Sequence, residues 1–328
     1  MTNDVHLVPD LFSPAITKKA SRDGFGKALL ELGEKNPNVW ALTADVSEST
    51  RTHWFAEKFP DRFVQVGVAE QNLAGVAAGI ATCGKKTFIS AFGAFSPGRN
   101  FDQIRVSICY SNLDVKIHAS HCGLSVGPDG ASHQILEDLA MMRALPNMTV
   151  LVPCDLEQAK KATLAASNLK TPAYIRTSRE NSPVFTTSDT PFEIGKANVY
   201  RDGEDVAIFA CGLQVFESLK AAEELKKKGI DAAVIDMHSI KPIDTNTIIA
   251  FAKKCGALVS VEDHQINGGL GSAIAEVLCE HYPAPLIRVG MNDKFGESGN
   301  ASELYGKYGL DAKGIIRRVE EAVSRKKK

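Results

Sequence analysis

The sequence lacks the features that would send a chain to a membrane, to nucleic acid or to an oxidising compartment. No apolar run approaches the roughly 20 residues that span a bilayer, so its 328 residues read as a water-soluble chain. Lys and Arg number 38 against 39 Asp and Glu, for a net charge of −1. That balance offers no basic surface for nucleic acid or for an anionic membrane. The opening Met-Thr-Asn-Asp-Val-His has no basic stretch leading into an apolar one, so no signal peptide is expected. The 7 cysteines (Cys83, Cys109, Cys122, Cys154, Cys211, Cys255 and Cys279) include no C-x-x-C pair and no metal-ligand spacing. Dispersed thiols of this kind suit a reducing interior, and a cytoplasmic location is expected. The sequence shows no repeat and no low-complexity tract, and Arg325-Lys-Lys-Lys328 reads as a solvated helix end.

What is present is ordinary globular material, 44% hydrophobic and 23% charged, with length for about two domains. Short β-rich runs at 39–43, 87–91, 115–119, 149–152 and 173–176 alternate with helical stretches near 20–35, 69–83, 99–110, 133–143 and 155–168. Such alternation predicts an α/β fold with a mostly parallel sheet. The polar, proline-bracketed Asn181–Pro191 stretch breaks the pattern and reads as an interdomain connection. Strands at 206–210, 232–236, 257–261 and 285–289 then alternate with helices near 213–228, 244–254, 270–281 and 313–325. Two doubly wound domains are therefore expected: residues 1–185, a linker at 186–200, and a smaller unit at 201–328.

Four segments carry candidate chemistry. Gly67-Val-Ala-Glu-Gln-Asn72 sets Glu70 at the mouth of a helix made of very small residues. Leu73, Val76, Ala77, Ile80 and Ala81 follow the spacing of one buried helical face. Gly75, Ala78 and Gly79 would let another backbone approach closely. Glu70 is either a desolvated acid able to bond a cofactor ring nitrogen, or a first-turn acid complementing the helix dipole. The glycine-rich Ser120–Gln134 loop follows a strand, at the sheet edge where α/β folds bind ligands. It collects His121, Asp129 and His133, either as a polar site or as loop hydrogen-bonders; the spacing fits no familiar zinc pattern. Phe92 and Phe95, three apart after another strand, could face a flat heterocycle or fill a core. Arg179, just after the 173–176 strand, could fork onto a phosphate or carboxylate or lie free at the surface.

Taken in order, these segments together with Val261-Glu-Asp-His264 and Asn267-Gly-Gly-Leu-Gly271 resemble the C-terminal portion of transketolases, over nearly the whole chain. The nearer likeness is to the separately encoded C-terminal subunit of a split transketolase, a pyrimidine-binding domain followed by the family's C-terminal domain. The resemblance implies thiamine diphosphate as cofactor, with Glu70 at N1′ of its aminopyrimidine and helping to deprotonate the thiazolium. Phe95 would stack on the pyrimidine, with Phe92 lining the pocket. Asp45 would contact the cofactor, and Val46 would support its bend. His121, Asp129 and His133 match groups that bind sugar hydroxyls and move protons, while Arg179, Ser49 and Lys18 match the holders of the terminal phosphate. Departures from the family pattern are Lys18 in place of arginine, Val46 in place of leucine, and Gly98 where many members carry a third aromatic.

Deoxyxylulose-phosphate synthase shares several of these motifs but usually lacks an equivalent of His121. The β subunit of 2-oxo-acid dehydrogenases lacks the histidine loop. A non-catalytic partner would not need the whole set. The family also holds the diphosphate and its Mg2+ or other divalent cation through a G-D-G segment, which is absent here. The resemblance thus implies an N-terminal-type partner subunit that supplies the metal site, most simply in a two-plus-two heterotetramer acting on sugar phosphates.

Overall fold

The computed structural model describes residues 6–326. The first half supplies β1 (Lys18–Ala20), β2 (Val39–Thr43), β3 (Phe63–Gln65), β4 (Lys86–Phe92), β5 (Val115–Ser120), β6 (Thr149–Leu151), β7 (Ala173–Arg176) and β8 (Asn181–Pro183). The second supplies β9 (Asn198–Arg201), β10 (Val206–Ala210), β11 (Ala232–Asp236), β12 (Ser239–Lys241), β13 (Leu258–Gln265) and β14 (Leu286–Met291). One sheet has seven strands in the order β12-β6-β7-β5-β4-β2-β3, a second has five, β14-β13-β10-β11-β9, and β1 and β8 form a small antiparallel third. The two larger sheets are parallel except at one edge, where β12 and β9 run antiparallel. Edge strand β12 comes from the second half of the chain, so the larger sheet is completed across the domain boundary.

β5 shows why the central strands need no hydrophilic face. Every residue is buried, and Val115, Ile117 and Ala119 alternate with Lys116, His118 and Ser120. The polar set has partners. Lys116 Nζ reaches Asp114 at 2.6 Å and the Thr171 carbonyl at 2.7 Å. The His118 ring spans from Ser90 Oγ at 2.6 Å to Thr177 Oγ1 at 2.8 Å.

Several expectations need correcting. The helix expected over 133–143 begins only at Asp138, because Cys122 bridges to Ile135 and holds that stretch extended. The helix expected over 99–110 is one α turn, Phe101–Gln103, continued as a π-helix over Ile104–Tyr110. In the Glu70–Thr82 helix the buried stripe is Leu73, Ala74, Ala77, Ala78 and Ala81. Val76 and Ile80 are only half-buried, and Gly75 and Gly79 face open space. The Asn181–Pro191 stretch, read as the interdomain connection, is tied to the first half of the chain. It begins as β8, which pairs with β1, and both Phe185 and Thr186 donate their N–H groups to Asp155 Oδ2, at 2.8 and 2.7 Å. Asp155 Oδ1 meanwhile caps the Leu156–Asn168 helix through the Gln158 N–H at 2.9 Å. The C-terminal helix runs from Ala312 to Lys326. Lys327 and Lys328, and Met1–Val5 with their lack of a signal pattern, lie outside the described residues. Among those described, no helix is long and apolar enough to cross a membrane.

Buried imidazoles give the fold an acid limit. Burial pushes His121 and His238 down to about 3 and His264 to about 4, and holds His118 well below the usual range. Unfolded imidazoles take up protons near pH 6.5, so between about 4 and 6.5 the unfolded state binds more protons and stability falls with pH. Asp236 and Glu262, raised by burial to about 7, and Asp263, also raised by burial, act in the opposite sense. Four groups outweigh three below about pH 6. The melting temperature is therefore expected to be lower at pH 5 than at pH 6.5, and a rise on acidification would contradict this assignment.

Candidate active site

The Ser120–Gln134 loop leaves the C-terminal end of β5 and is pinned by the second domain. Asp263 Oδ1 accepts the Leu124 N–H at 2.9 Å, and Gln134 Nε2 donates to the Glu297 carbonyl at 3.0 Å. Gly123, at φ 76°, leaves room for this, since a Cβ there would lie 2.1 Å from Asp263 Oδ2. The Val261-Glu-Asp-His264 segment thus shapes the loop from outside. Glu262 serves its own domain, accepting the Leu270 and Gly271 N–H groups at 2.7 and 2.8 Å.

His121 sits at the start of this loop with φ 57°, buried, its ring stacked on Phe92 at 3.8 Å. Its Nε2 lies 3.2 Å from Arg22 Nη1 and its Nδ1 2.9 Å from Ser120 Oγ. A guanidinium only donates, so Nε2 accepts and Nδ1 carries the proton toward Ser120. Burial, then the Arg22 and Arg179 charges, push its pKa to about 3, which keeps the ring neutral. His133, half-buried, meets Phe95 edge-on at 5.2 Å and Phe92 at 6.4 Å. Its Nδ1 lies 2.9 Å from Ser132 Oγ. Asp129 is exposed near the end of the same loop.

Glu70 is the first residue of the Glu70–Thr82 helix and is 5% exposed. Arg99 Nη1 reaches its two carboxylate oxygens at 3.2 and 3.3 Å, and the same guanidinium lies over the Phe95 ring at 4.0 Å. Asn100 Nδ2 donates to the Glu70 backbone carbonyl at 3.0 Å. Phe92 and Phe95 stand 5.8 Å apart and nearly parallel. Contacts therefore run without a break from Glu70 through Arg99, Phe95 and Phe92 to His121 and Arg22.

The other sequence-derived positions fall around this line. Asp45 is exposed, at φ 61°, its N–H donated to Gln65 Oε1 at 2.7 Å. Val46 is half-buried against the core. Ser49 joins through its carbonyl, which accepts from Arg22 Nη1 at 2.8 Å. Arg179, half-buried, donates to the Val126 carbonyl at 2.6 Å, which ties it to the histidine loop. Lys18 is exposed and lines an open groove with Phe12, Pro183, Phe216 and Lys220; among the described residues no hydrogen bond or ion pair joins it to Arg179, Ser49 or His121. Gly98 packs on the Ala94 carbonyl so closely that a Cβ would lie 2.0 Å away, which bars a third aromatic there without a backbone shift.

The two halves of the chain match two known families: the transketolase pyrimidine-binding domain over residues 17–184 and the transketolase C-terminal domain over residues 195–315. The chain belongs to the transketolase family. It is 46% identical over 310 residues to a Methanocaldococcus jannaschii protein described as a transketolase C-terminal section, covering 94% of this chain and 97% of that one. Identity is 41% over 305 residues to a 6-deoxy-6-sulfo-D-fructose transketolase subunit of Clostridium sp. strain MSTE9, covering 93% and 95%. A solved structure described as a split-gene transketolase, inactive beta4 tetramer, superposes with a TM-score of 0.88 at 48% identity, covering 94% of this chain and 99% of that one. Transketolases normally use thiamine diphosphate and a divalent cation, and this chain corresponds to a subunit of the split form.

Sequence reading missed three residues of this cluster, Arg99, Asn100 and Arg22. Arg99 follows Phe95 by four residues, and its N–H bonds the Phe95 carbonyl at 2.9 Å, so a helical-turn pairing was legible in principle. Its reach to Glu70, like those of Asn100 and Arg22, depends on tertiary structure.

Proposed function

We propose that this chain is the pyrimidine-holding and sugar-binding half of a thiamine diphosphate-dependent ketol transferase, moving a two-carbon unit from a ketose phosphate to an aldose phosphate. The observation that carries the reading is the Arg99 guanidinium between Phe95 and Glu70. It is a flat cation that stacks on a ring while donating N–H bonds to a carboxylate, and an aminopyrimidine needs the same surroundings. A half-exposed ion pair contributes about 1 kcal/mol or less, so Arg99 yields readily to a ligand that fills the slot.

In that arrangement Phe95 takes the pyrimidine face, and Glu70 holds the proton at N1′. Val46 offers an apolar support and Asp45 an accessible carboxylate toward the cofactor. Thiamine diphosphate, when bound, supplies the nucleophilic carbon for breaking and re-forming a ketose C2–C3 bond. His133 stands edge-on to both phenylalanines, placed to pass protons to the sugar, and His121 accepts or donates hydrogen bonds as a neutral ring. Asp129 at the loop rim suits a sugar hydroxyl, and Arg179 a terminal anion. Ketol transfer from xylulose 5-phosphate to ribose 5-phosphate by the chain with its partner tests the reading, and failure across a panel of ketose donors would refute it.

His121→Ala and His133→Ala are each expected to lower turnover by about a hundredfold or more, the scale of a lost proton-transfer group. Thiamine diphosphate affinity should stay within a few-fold. Collapsed cofactor affinity with normal saturated turnover would reverse the roles.

The diphosphate and divalent cation are assigned to an N-terminal-type partner, since this sequence holds no G-D-G segment. The open flank of Gly75 and Gly79, bordered by half-buried Val76 and Ile80, gives that partner a close-packing surface. A two-plus-two assembly is the simplest arrangement.

A further inference from the structure

Two hydrogen bonds tie the Ser120–Gln134 loop to the second domain, and they differ in kind. Gln134 reaches a backbone carbonyl, that of Glu297, whereas the Leu124 N–H reaches a carboxylate, Asp263 Oδ1. Among the described residues Asp263 is the one second-domain side chain that hydrogen-bonds this loop. It is buried, it forms no ion pair among those residues, and its Oδ2 accepts the Tyr305 hydroxyl at 2.8 Å. The Arg176 guanidinium is occupied elsewhere, with Asp138 at 2.7 Å and the backbone carbonyl of Asp263 at 2.9 Å. Burial pushes the Asp263 carboxyl up, against the Arg176 charge, the Leu124 N–H, the Tyr305 hydroxyl and the Ser125 N–H. A carboxylate held in such a place is costly, and the bonds it makes are charge-assisted, roughly twice as strong as neutral ones.

Those bonds fall three and four residues after His121. At φ 57° His121 is left-handed, a conformation that a residue with a side chain keeps only where its surroundings fix the chain. Strand β5 fixes the chain before it. After it, the Cys122 N–H is donated to the Thr177 carbonyl at 3.2 Å and the Gly123 N–H to the Ile135 carbonyl at 3.0 Å. The Asp263 bond is shorter than either and closes the turn. We propose that Asp263 is the positioning residue for His121: its carboxylate, steadied by Tyr305, holds the turn that sets where the imidazole meets the sugar. The second domain thereby serves the reaction without touching substrate. The consequence for turnover rests on the ketol-transfer reading; the hold on the turn does not.

The test uses the chain assembled with an N-terminal-type subunit, and the variants Asp263→Ala, Asp263→Asn and Tyr305→Phe. Asp263→Ala should lower kcat by about a hundredfold, the scale of a reacting group misplaced by an ångström. Asp263→Asn keeps one acceptor and should fall between Asp263→Ala and wild type. Tyr305→Phe should lose several-fold, as for one hydrogen bond. Thiamine diphosphate affinity should stay within a few-fold in all three. Combining His121→Ala with each change should give turnover no lower than His121→Ala alone, because nothing is then left to position. An added loss in those double variants, or weakened cofactor binding, would overturn the proposal in favour of a structural carboxylate. Should Asp263→Ala fail to fold, Asp263→Asn and Tyr305→Phe carry the same comparison. In the chain alone, the Leu124 amide should exchange its hydrogen faster in Asp263→Asn and Tyr305→Phe than in wild type, and unchanged exchange would also overturn the proposal. If the assembled wild type transfers no ketol unit at all, the functional reading fails, while the exchange rates still decide whether Asp263 holds the turn.

Discussion

Glu70→Ala is expected to remove turnover by about a thousandfold or more, within the range for a lost acid–base group, and to leave the fold intact. The side chain is 5% exposed yet no part of a hydrophobic cluster, and its carboxylate bonds only Arg99 among the described residues. Losing a first-turn acid and a half-exposed ion pair costs about 1 kcal/mol each at most, small against the stability of a domain. The Asn100 bond to the Glu70 carbonyl needs no side chain and survives the change. Glu70→Gln keeps the shape and should lose nearly as much turnover, because an amide cannot hold and return the proton. Steady-state rates of the assembled enzyme, set beside melting temperatures, check this. Rates near wild type for Glu70→Ala would remove the basis of the assignment.

The second large effect concerns the chain by itself. Purified alone with magnesium, thiamine diphosphate, xylulose 5-phosphate and ribose 5-phosphate, it should show no turnover above background and bind the cofactor weakly. Under the proposed function Phe95, Phe92 and Glu70 would grip one flat ring, while the diphosphate carries most of the charge and would find no G-D-G segment in this sequence. Adding an N-terminal-type transketolase subunit should restore activity in proportion to complex formed. Robust turnover without a partner would refute it.

Much of the fold could be read from the sequence because its strands are long, apolar and regularly spaced. Elements that escaped are short or lack periodicity. Phe63–Gln65 and Ser239–Lys241 have three residues each, too few to alternate, and owe their conformation to a neighbouring strand. Of the face expected on the Glu70–Thr82 helix, Leu73, Ala77 and Ala81 are buried and Val76 and Ile80 pack against the same core at its flank, while Ala74 and Ala78 join it from beyond the expected stripe. Glu70, Phe92, Phe95, His121 and His133 were legible as candidates because each lies beside glycine or at a strand end, and the structure draws them together. Arg22 and Arg99 stand in none of the motifs that the sequence offers. Only the tertiary approach of distant segments brings Arg99 to the Glu70 carboxylate and Arg22 to the His121 ring.

Strand β12 bears on how this protein could be taken apart. Ser239 and Lys241 pair with Leu151 and Val150 on β6, and the Val152 N–H is donated to the His238 carbonyl at 2.8 Å. A cut anywhere in 186–200 would strip that strand from the larger sheet and leave β6 as a bare edge, a template for aggregation. The smaller piece would carry a strand with nothing to pair against. The familial boundary between the two halves is thus a poor guide for dissection: the halves are sewn together, and soluble fragments would need β12 grafted back or the β6 edge blocked by charge.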